Sequence, residues 1–353
     1  MAAQSWSVVA TVDEPLAALC AFVAHYRALG AASITLCLDQ PAALPEVQAA
    51  MDGTPGLRLV ACDAGWWRGR RPLHSTVRQR QNATRIYRDT GTDWLLHVDA
   101  DEFLWHPGNV GMALAALGPD WPVVRLSPAE RVRVAEASEN ELFEGWFRLP
   151  RLMSLATLTE LYGADACFFN GEGLLSHARG KCFTRTGLPL TIGVHQPFSQ
   201  DHPDMSPADH RSWLDAVAIR LAAPLVHFDG FTTLHWLLKL VGRSEADRSI
   251  RARGRQIPAE RHAPARLAQM QAVNAARGDP AALSAFATRL RSLDAARHRN
   301  LAARGLLLSL PIDPVTTARA QFPALDLDFT AAGFDAALRR ARPELVALAG
   351  LSR

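Results

Sequence analysis

Asp99-Ala100-Asp101-Glu102-Phe103 is the segment with the most chemistry in the chain. It follows an apolar stretch, residues 94–98, that reads as a buried strand. Two carboxylates separated by one residue, just past such a strand, can face one cation. A hard divalent ion takes oxygen ligands and can bridge them to phosphate oxygens. The alternative is a solvated acidic turn, since a bare D-x-D is common. Phosphatases with an aspartyl nucleophile carry the same letters, but at the end of the first strand and followed soon by Thr or Val. Here the motif ends a fourth strand and continues Glu-Phe, so that reading is rejected.

Three more acids close predicted strands: Asp13 after residues 6–12, Asp39 after 33–38 and Asp63 after 57–61. One acid in such a place is a turn residue or a helix cap. Four in succession read as a cluster at one edge of a sheet. Residues 65–88 hold seven arginines and no acid. With Trp66 and Trp67 among them, this stretch lines an anionic pocket or forms a loop over it. Within it Arg78, Asn82 and Arg85 share one helix face, which either reaches a ligand or is simply solvated. Trp66, Trp67 and Trp105 could stack on a sugar ring or belong to the core.

The glycines needed to cradle a phosphate are missing. Thr11-Val12-Asp13-Glu14-Pro15 has none, which argues against a dinucleotide fold, and no G-x-x-x-x-G-K-[ST] occurs. A phosphorylated ligand here would need its charge met by a carboxylate-bound metal.

These residues need a sheet to hold them. Strands are expected at 6–12, 33–38, 57–61, 94–98 and 122–127, with helices over 16–29 and 76–88. Pro15 opens the first helix and Gly30 closes it. Strands alternating with helices imply an α/β chain with a parallel, doubly wound sheet, whose ligands bind beyond the carboxyl ends of the strands. Short strands follow at 182–185 and 190–194. From about residue 205 the chain reads as mostly helical. Asp279-Pro280 opens an amphipathic helix and Thr330 caps another, which Pro343 interrupts.

Composition narrows the classes. Of 353 residues 48% are hydrophobic and 21% charged, with a formal charge of +3. That excludes disorder and gives no case for nucleic-acid binding. Five cysteines without a C-x-x-C pair argue against a zinc site or redox dithiol. No signal peptide or membrane span is evident. A cytoplasmic protein is expected, with the inner face of the membrane as a second place.

Residues 8–14, 22–30 and 94–104 together resemble the family 2-like glycosyltransferases, and more narrowly the bacterial branch whose D-x-D reads D-A-D-E-F. The resemblance covers residues 6–240 or so. It implies a GT-A type, Rossmann-like fold over residues 1–240, with a nucleotide-binding half to 106 and an acceptor and metal half over 107–240. Residues 241–353 would form a helical region. It implies a nucleotide-sugar donor, UDP-linked first of all, and Mn²⁺ or Mg²⁺. The sugar would pass to a hydroxyl of a glycan or lipid-linked acceptor, with peripheral membrane contact an option. Asp99 and Asp101 match the metal motif, with Asp101 the direct ligand and His195 the third. Asp13 or Glu14 lies near the nucleoside, Asp39 near the base or ribose, and Lys181 or Arg185 on the diphosphate. Arg78 and Asn82 would reach the nucleotide or the D-x-D turn, and His227 and Lys239 the donor site or its lid.

Inversion at the anomeric carbon needs a base for the acceptor hydroxyl. Glu130, Glu141, Glu144, Asp165 and Glu172 lie downstream, and Glu172, between two glycines, is the choice. Two other readings stay open. One is a sugar nucleotidyltransferase, whose Gly-rich loop is absent. The other is a non-catalytic carbohydrate-binding scaffold on a decayed transferase fold.

Overall fold

The structure is a computed structural model that describes residues 2–134, 142–254, 256–257 and 262–351. In chain order the first half runs β1 (Trp6–Val12), α1 (Leu16–Ala28), β2 (Ser33–Leu38), α2 (Leu44–Met51), β3 (Leu57–Ala61), α3 (Ser75–Asp89), β4 (Trp94–His97), β5 (Glu102–Leu104), α4 (Val110–Ala116), β6 (Val123–Val134), β7 (Trp146–Arg148) and α5 (Leu155–Tyr162). It continues with β8 (Lys181–Arg185), β9 (Leu190–Ile192), β10 (Pro197–Ser199), α6 (Pro207–Val217), β11 (Ala218–His227), α7 (Thr233–Ala252), α8 (Pro264–Ala275) and α9 (Pro280–Arg291). Last come β12 (Ser292–Leu293), α10 (Ala295–Ala303), β13 (Leu307–Leu308), α11 (Pro314–Gln321), α12 (Ala331–Ala341) and α13 (Pro343–Ala349). Two compact units result. One is Met1–Ser127, Arg179–Leu225 and Asp313–Leu327; the other is Pro128–Ala178, Val226–Ile312 and Asp328–Arg353.

The first unit bears out the α/β expectation. Its strands lie in the order β3-β2-β1-β4, all parallel, with β8 antiparallel on β4 and the start of β6 antiparallel on β8. β1 is buried along almost its whole length, as parallel strands covered on both faces are. Side chains alternate across it. Val9 joins Cys37, Val60, Leu95, Ala83, Ile86 and Tyr87 under α3. Trp6, on the other face, packs edge-on against Tyr26 of α1 and Phe183 of β8. Residues 18–26 of α1 are buried without a break, so this helix has no solvent face. Its outer side is covered by α11, where Gln321 donates to the Ala24 carbonyl (2.9 Å) and accepts from Arg27 (2.8 Å).

The second unit pairs β7 antiparallel with the end of β6 and with β13, and sets β12 parallel to β6. Phe143, Phe147, Phe228, Phe231 and Phe334 pack there, mostly edge to face. The turn after β11 carries Asp229 at φ +44° and Gly230 at φ +90°. A Cβ on Gly230 would stand 2.9 Å from the Trp236 nitrogen, so only glycine fits. Two buried arginines satisfy the carbonyls of this turn. Arg131 donates to Gly230 and Phe231, and Arg291 to Gly230 and Thr232.

The chain after residue 205 is mostly helical as expected, with β11 a ten-residue strand within it. Two expectations need correction. Pro343 does not interrupt a helix but begins α13, where its missing N–H costs nothing. The strand expected at 122–127 extends to Val134.

Candidate active site

β4 ends at His97, and the chain then turns through Asp99, Ala100, Asp101 and Glu102. The Asp99 carbonyl accepts the Glu102 N–H (3.0 Å), and the Glu102 carboxylate accepts the Asp99 N–H (2.8 Å). These two bonds close the turn from both sides. Asp101 and Glu102 are almost fully buried, while the Asp99 side chain keeps 24% of its surface.

Lys181 comes to this turn through strand register. β8 runs antiparallel to β4 with Phe183 opposite Leu96, so Lys181 falls opposite Val98, just beyond the end of β4. Its ammonium lies 3.0 Å from Asp99 Oδ2 and 3.3 Å from Glu102 Oε2, with no exposed surface. Burial works against its charge, but Asp99 and Glu102 outweigh it and raise the lysine above its ordinary pKa. The other Asp99 oxygen accepts from Gln79 of α3 (2.9 Å). Lys181 is therefore inside the turn rather than at a surface open to a diphosphate.

The same register puts Arg185 opposite Trp94, at the start of β4. Five residues of strand separate that point from Asp99, roughly 16 Å. Arg185 stacks over the Trp94 ring at 4.3 Å and donates to the Gly118 carbonyl. Its expected place on the diphosphate is thus corrected: sharing a strand face with Lys181 does not bring it to the same end.

His97 and His195 flank the turn. His97 Nδ1–H donates to the Gly193 carbonyl (2.9 Å) and His195 Nδ1–H to that of Gly180 (3.2 Å). Burial first, and then the Lys181 charge, hold His97 down to about 4 and His195 to about 3. Both are neutral near pH 7 and keep an Nε2 lone pair. An imidazole tied through Nδ1–H to a carbonyl is the usual form of a metal ligand.

Around β2 and α3 the polar residues hold one another. Arg78 grips both Asp39 oxygens, at 2.7 Å and 2.6 Å, and donates to the carbonyls of Pro72 and Leu73. Arg71 adds a contact to Asp39 (3.0 Å). Asn82 is fully buried; it accepts from the Trp66 indole (2.8 Å) and donates to Thr11 (3.0 Å). Arg85 stacks over Trp66 at 4.7 Å. Asp39, Arg78 and Asn82, expected at the nucleotide, thus act first as the frame of the strand-end loops. Asp13 and Glu14 remain half-buried at the end of β1, where the Asp13 N–H donates to the Glu14 carboxylate.

The remaining candidates belong to the second unit. Glu130 is buried against Arg148 (3.0 Å), and Asp165 is held by Arg289 (3.0 Å). Ion pairing gives both a structural role. Glu144 is exposed, and Glu141 lies outside the described residues. Glu172 is half-buried on a turn, its N–H donated to Asn170. His227 Nδ1 lies 3.2 Å from the Ser176 hydroxyl, with its ring 5.5 Å from that of His177. Lys239 stands 3.9 Å from Asp229, where Arg266 and Lys239 overcome burial and hold the carboxyl well below its usual range.

The donor set of the D-x-D turn suits a hard divalent cation. Asp99, Asp101 and Glu102 give three carboxylates in four residues, two of them beside the Lys181 ammonium, and oxygen donors of this kind suit such an ion. His195 adds a neutral nitrogen donor near Asp99, whose charge acts on its ring. Sequence reasoning named Asp99, Asp101 and His195 as ligands, with Glu102 only as a further acid of the motif. It missed Gln79 and the inward place of Lys181, which depend on a helix face and a strand register.

No family model matches the chain, and no curated protein matches it. Solved structures do show likeness at low identity. A mannosyltransferase from Pyrobaculum calidifontis, solved with GDP-mannose and Mn²⁺, is 14% identical over 99% of this chain and 85% of its own, with a TM-score of 0.33. Residues 1–349 of TarS from S. aureus are 12% identical over 99% of this chain and 90% of that one, with a TM-score of 0.31.

Proposed function

We propose that the protein is a metal-dependent, GT-A type glycosyltransferase that moves a sugar from a nucleotide donor to a hydroxyl of a glycan or lipid-linked acceptor, with inversion. One observation carries the reading. An acidic D-A-D-E turn, closed by its own hydrogen bonds, stands at the carboxyl end of β4 in a parallel β3-β2-β1-β4 sheet. Ligands of such sheets bind at that edge.

Asp101 and Asp99, with His195, would hold the cation. When bound, Mn²⁺ or Mg²⁺ would supply Lewis acidity to a diphosphate leaving group. Asp13 and Glu14 are the proposed nucleoside contacts. Asp39, Arg78 and Asn82 keep the loops around them in shape. Glu172 is the proposed base, and His227 and Lys239 the proposed lid residues. The transferase would occupy residues 1–240, with 241–353 as its helical partner region. No described helix is long and apolar enough to cross a membrane, and all five cysteines are free thiols, which suits a reducing compartment.

Thermal unfolding with nucleoside diphosphates, with and without Mn²⁺, tests this. A ligand at 100 times its Kd adds about 2.7 kcal/mol, enough to move the midpoint by several degrees. A Mn²⁺-dependent shift with UDP or GDP is expected, and its loss in Asp101→Ala. No shift with any nucleotide would move the reading to the non-catalytic scaffold.

A further inference from the structure

The D-x-D turn already contains a cation of its own. Lys181 is fully buried and ion-paired to two of the three carboxylates, so it presents no exposed surface to a donor phosphate. A mobile surface lysine would be a ligand contact; this one is part of the turn. Two consequences follow from charge alone. The ammonium draws Asp99 and Glu102 together and offsets the repulsion between their two charges, adding to the hydrogen bonds that close the turn. It also repels any divalent ion that approaches the same acids.

We propose that Lys181 is a resident counter-ion that positions the D-x-D turn and weakens its hold on a free divalent ion, so that the ion binds tightly only together with a diphosphate. The inference rests on the transferase reading above. The negative charge of a diphosphate offsets the repulsion from Lys181 and supplies further oxygen ligands. Coupling of this kind is reciprocal: the ion tightens the diphosphate by the same factor as the diphosphate tightens the ion. Lys181 is a positioning residue, since it acts on the ion through charge and through Asp99.

Calorimetric titration of the full-length chain with Mn²⁺, in the absence of any nucleotide, separates this from a purely structural role. Lys181→Met should bind Mn²⁺ about tenfold more tightly or better than wild type, the scale on which one ammonium acts on a nearby divalent ion. Lys181→Arg keeps the charge and should stay near wild type. A structural role alone predicts the opposite, a loosened turn and weaker binding. A folded Lys181→Met, checked by circular dichroism, with unchanged or weaker Mn²⁺ affinity would overturn the proposal. If that variant does not fold, wild type still decides. Its Mn²⁺ affinity should rise at least about tenfold when UDP or GDP is present, and equal affinity with and without nucleotide would overturn it. A nucleotide shift that needs no metal would keep the donor site and remove this inference.

Discussion

Asp39 is held through both oxygens by a single guanidinium, with side-chain exposures of 8% and 10% for the pair. Removing one member of a buried pair strands the other charge, at a cost of about 3–5 kcal/mol. Arg78→Ala should therefore lower the urea-unfolding free energy by about that amount, and a loss below about 1 kcal/mol would mean the carboxylate finds water or Arg71 instead. Arg78→Lys should restore only part, because an ammonium cannot make the two-pronged contact. The sequence named both residues but as ligand contacts. Type and strand-end position are legible in a sequence, whereas a pairing across 39 positions is not. The contrast between Lys181 and Arg185 has the same origin. Four positions apart on one strand, they differ by which end of β4 they meet, and only the antiparallel register decides that.

Elements were legible where one force dominated. β1 to β4 are short apolar runs ending in an acid or a loop, and their bounds agree closely with expectation. β11 was not, because Ala222-Ala223-Pro224 lacks the β-branched and aromatic residues that mark a strand, and its pairing with β5 comes from tertiary context. β6 was read too short because Pro128, Glu130, Arg131 and Arg133 interrupt the apolar signal, although Glu130 and Arg131 are buried. α1 is the reverse case. Its helix was plain, but its all-round burial required a second cover, which the distant α11 supplies. Ala318 of α11 is fully buried, and Ala318→Glu would put a charge there. The expected result is a loss above about 4 kcal/mol and faster hydrogen exchange over residues 18–26. Unchanged exchange in α1 would show that α11 is not its cover.

At the scale of the molecule, buried histidines set an acid limit. Burial lowers His25 and His97 to about 4. Their unfolded value is near 6.5, so between these limits the unfolded chain binds more protons than the folded one. Stability is therefore complete above pH 6.5 and falls as the pH drops toward 4. By pH 5 each histidine should have removed about 2 kcal/mol. Urea unfolding at pH 7 and pH 5 measures the sum, and His25→Leu should flatten the slope by one share. A slope unchanged in that variant would place the acid sensitivity elsewhere.

Both units draw on three separate stretches of chain, and the α1 cover lies in the last stretch of the first unit. On a ribosome this becomes a matter of waiting. α1 emerges among the earliest residues, destined to be buried all round over residues 18–26, and Asp313–Leu327 follows only after some 15–55 s at the usual rate of about 5–20 residues per second. β5 gives the inner side of the helix a partner by residue 104, but for the rest of that interval its outer side is an apolar face without its lid, a surface for the cell's holdases.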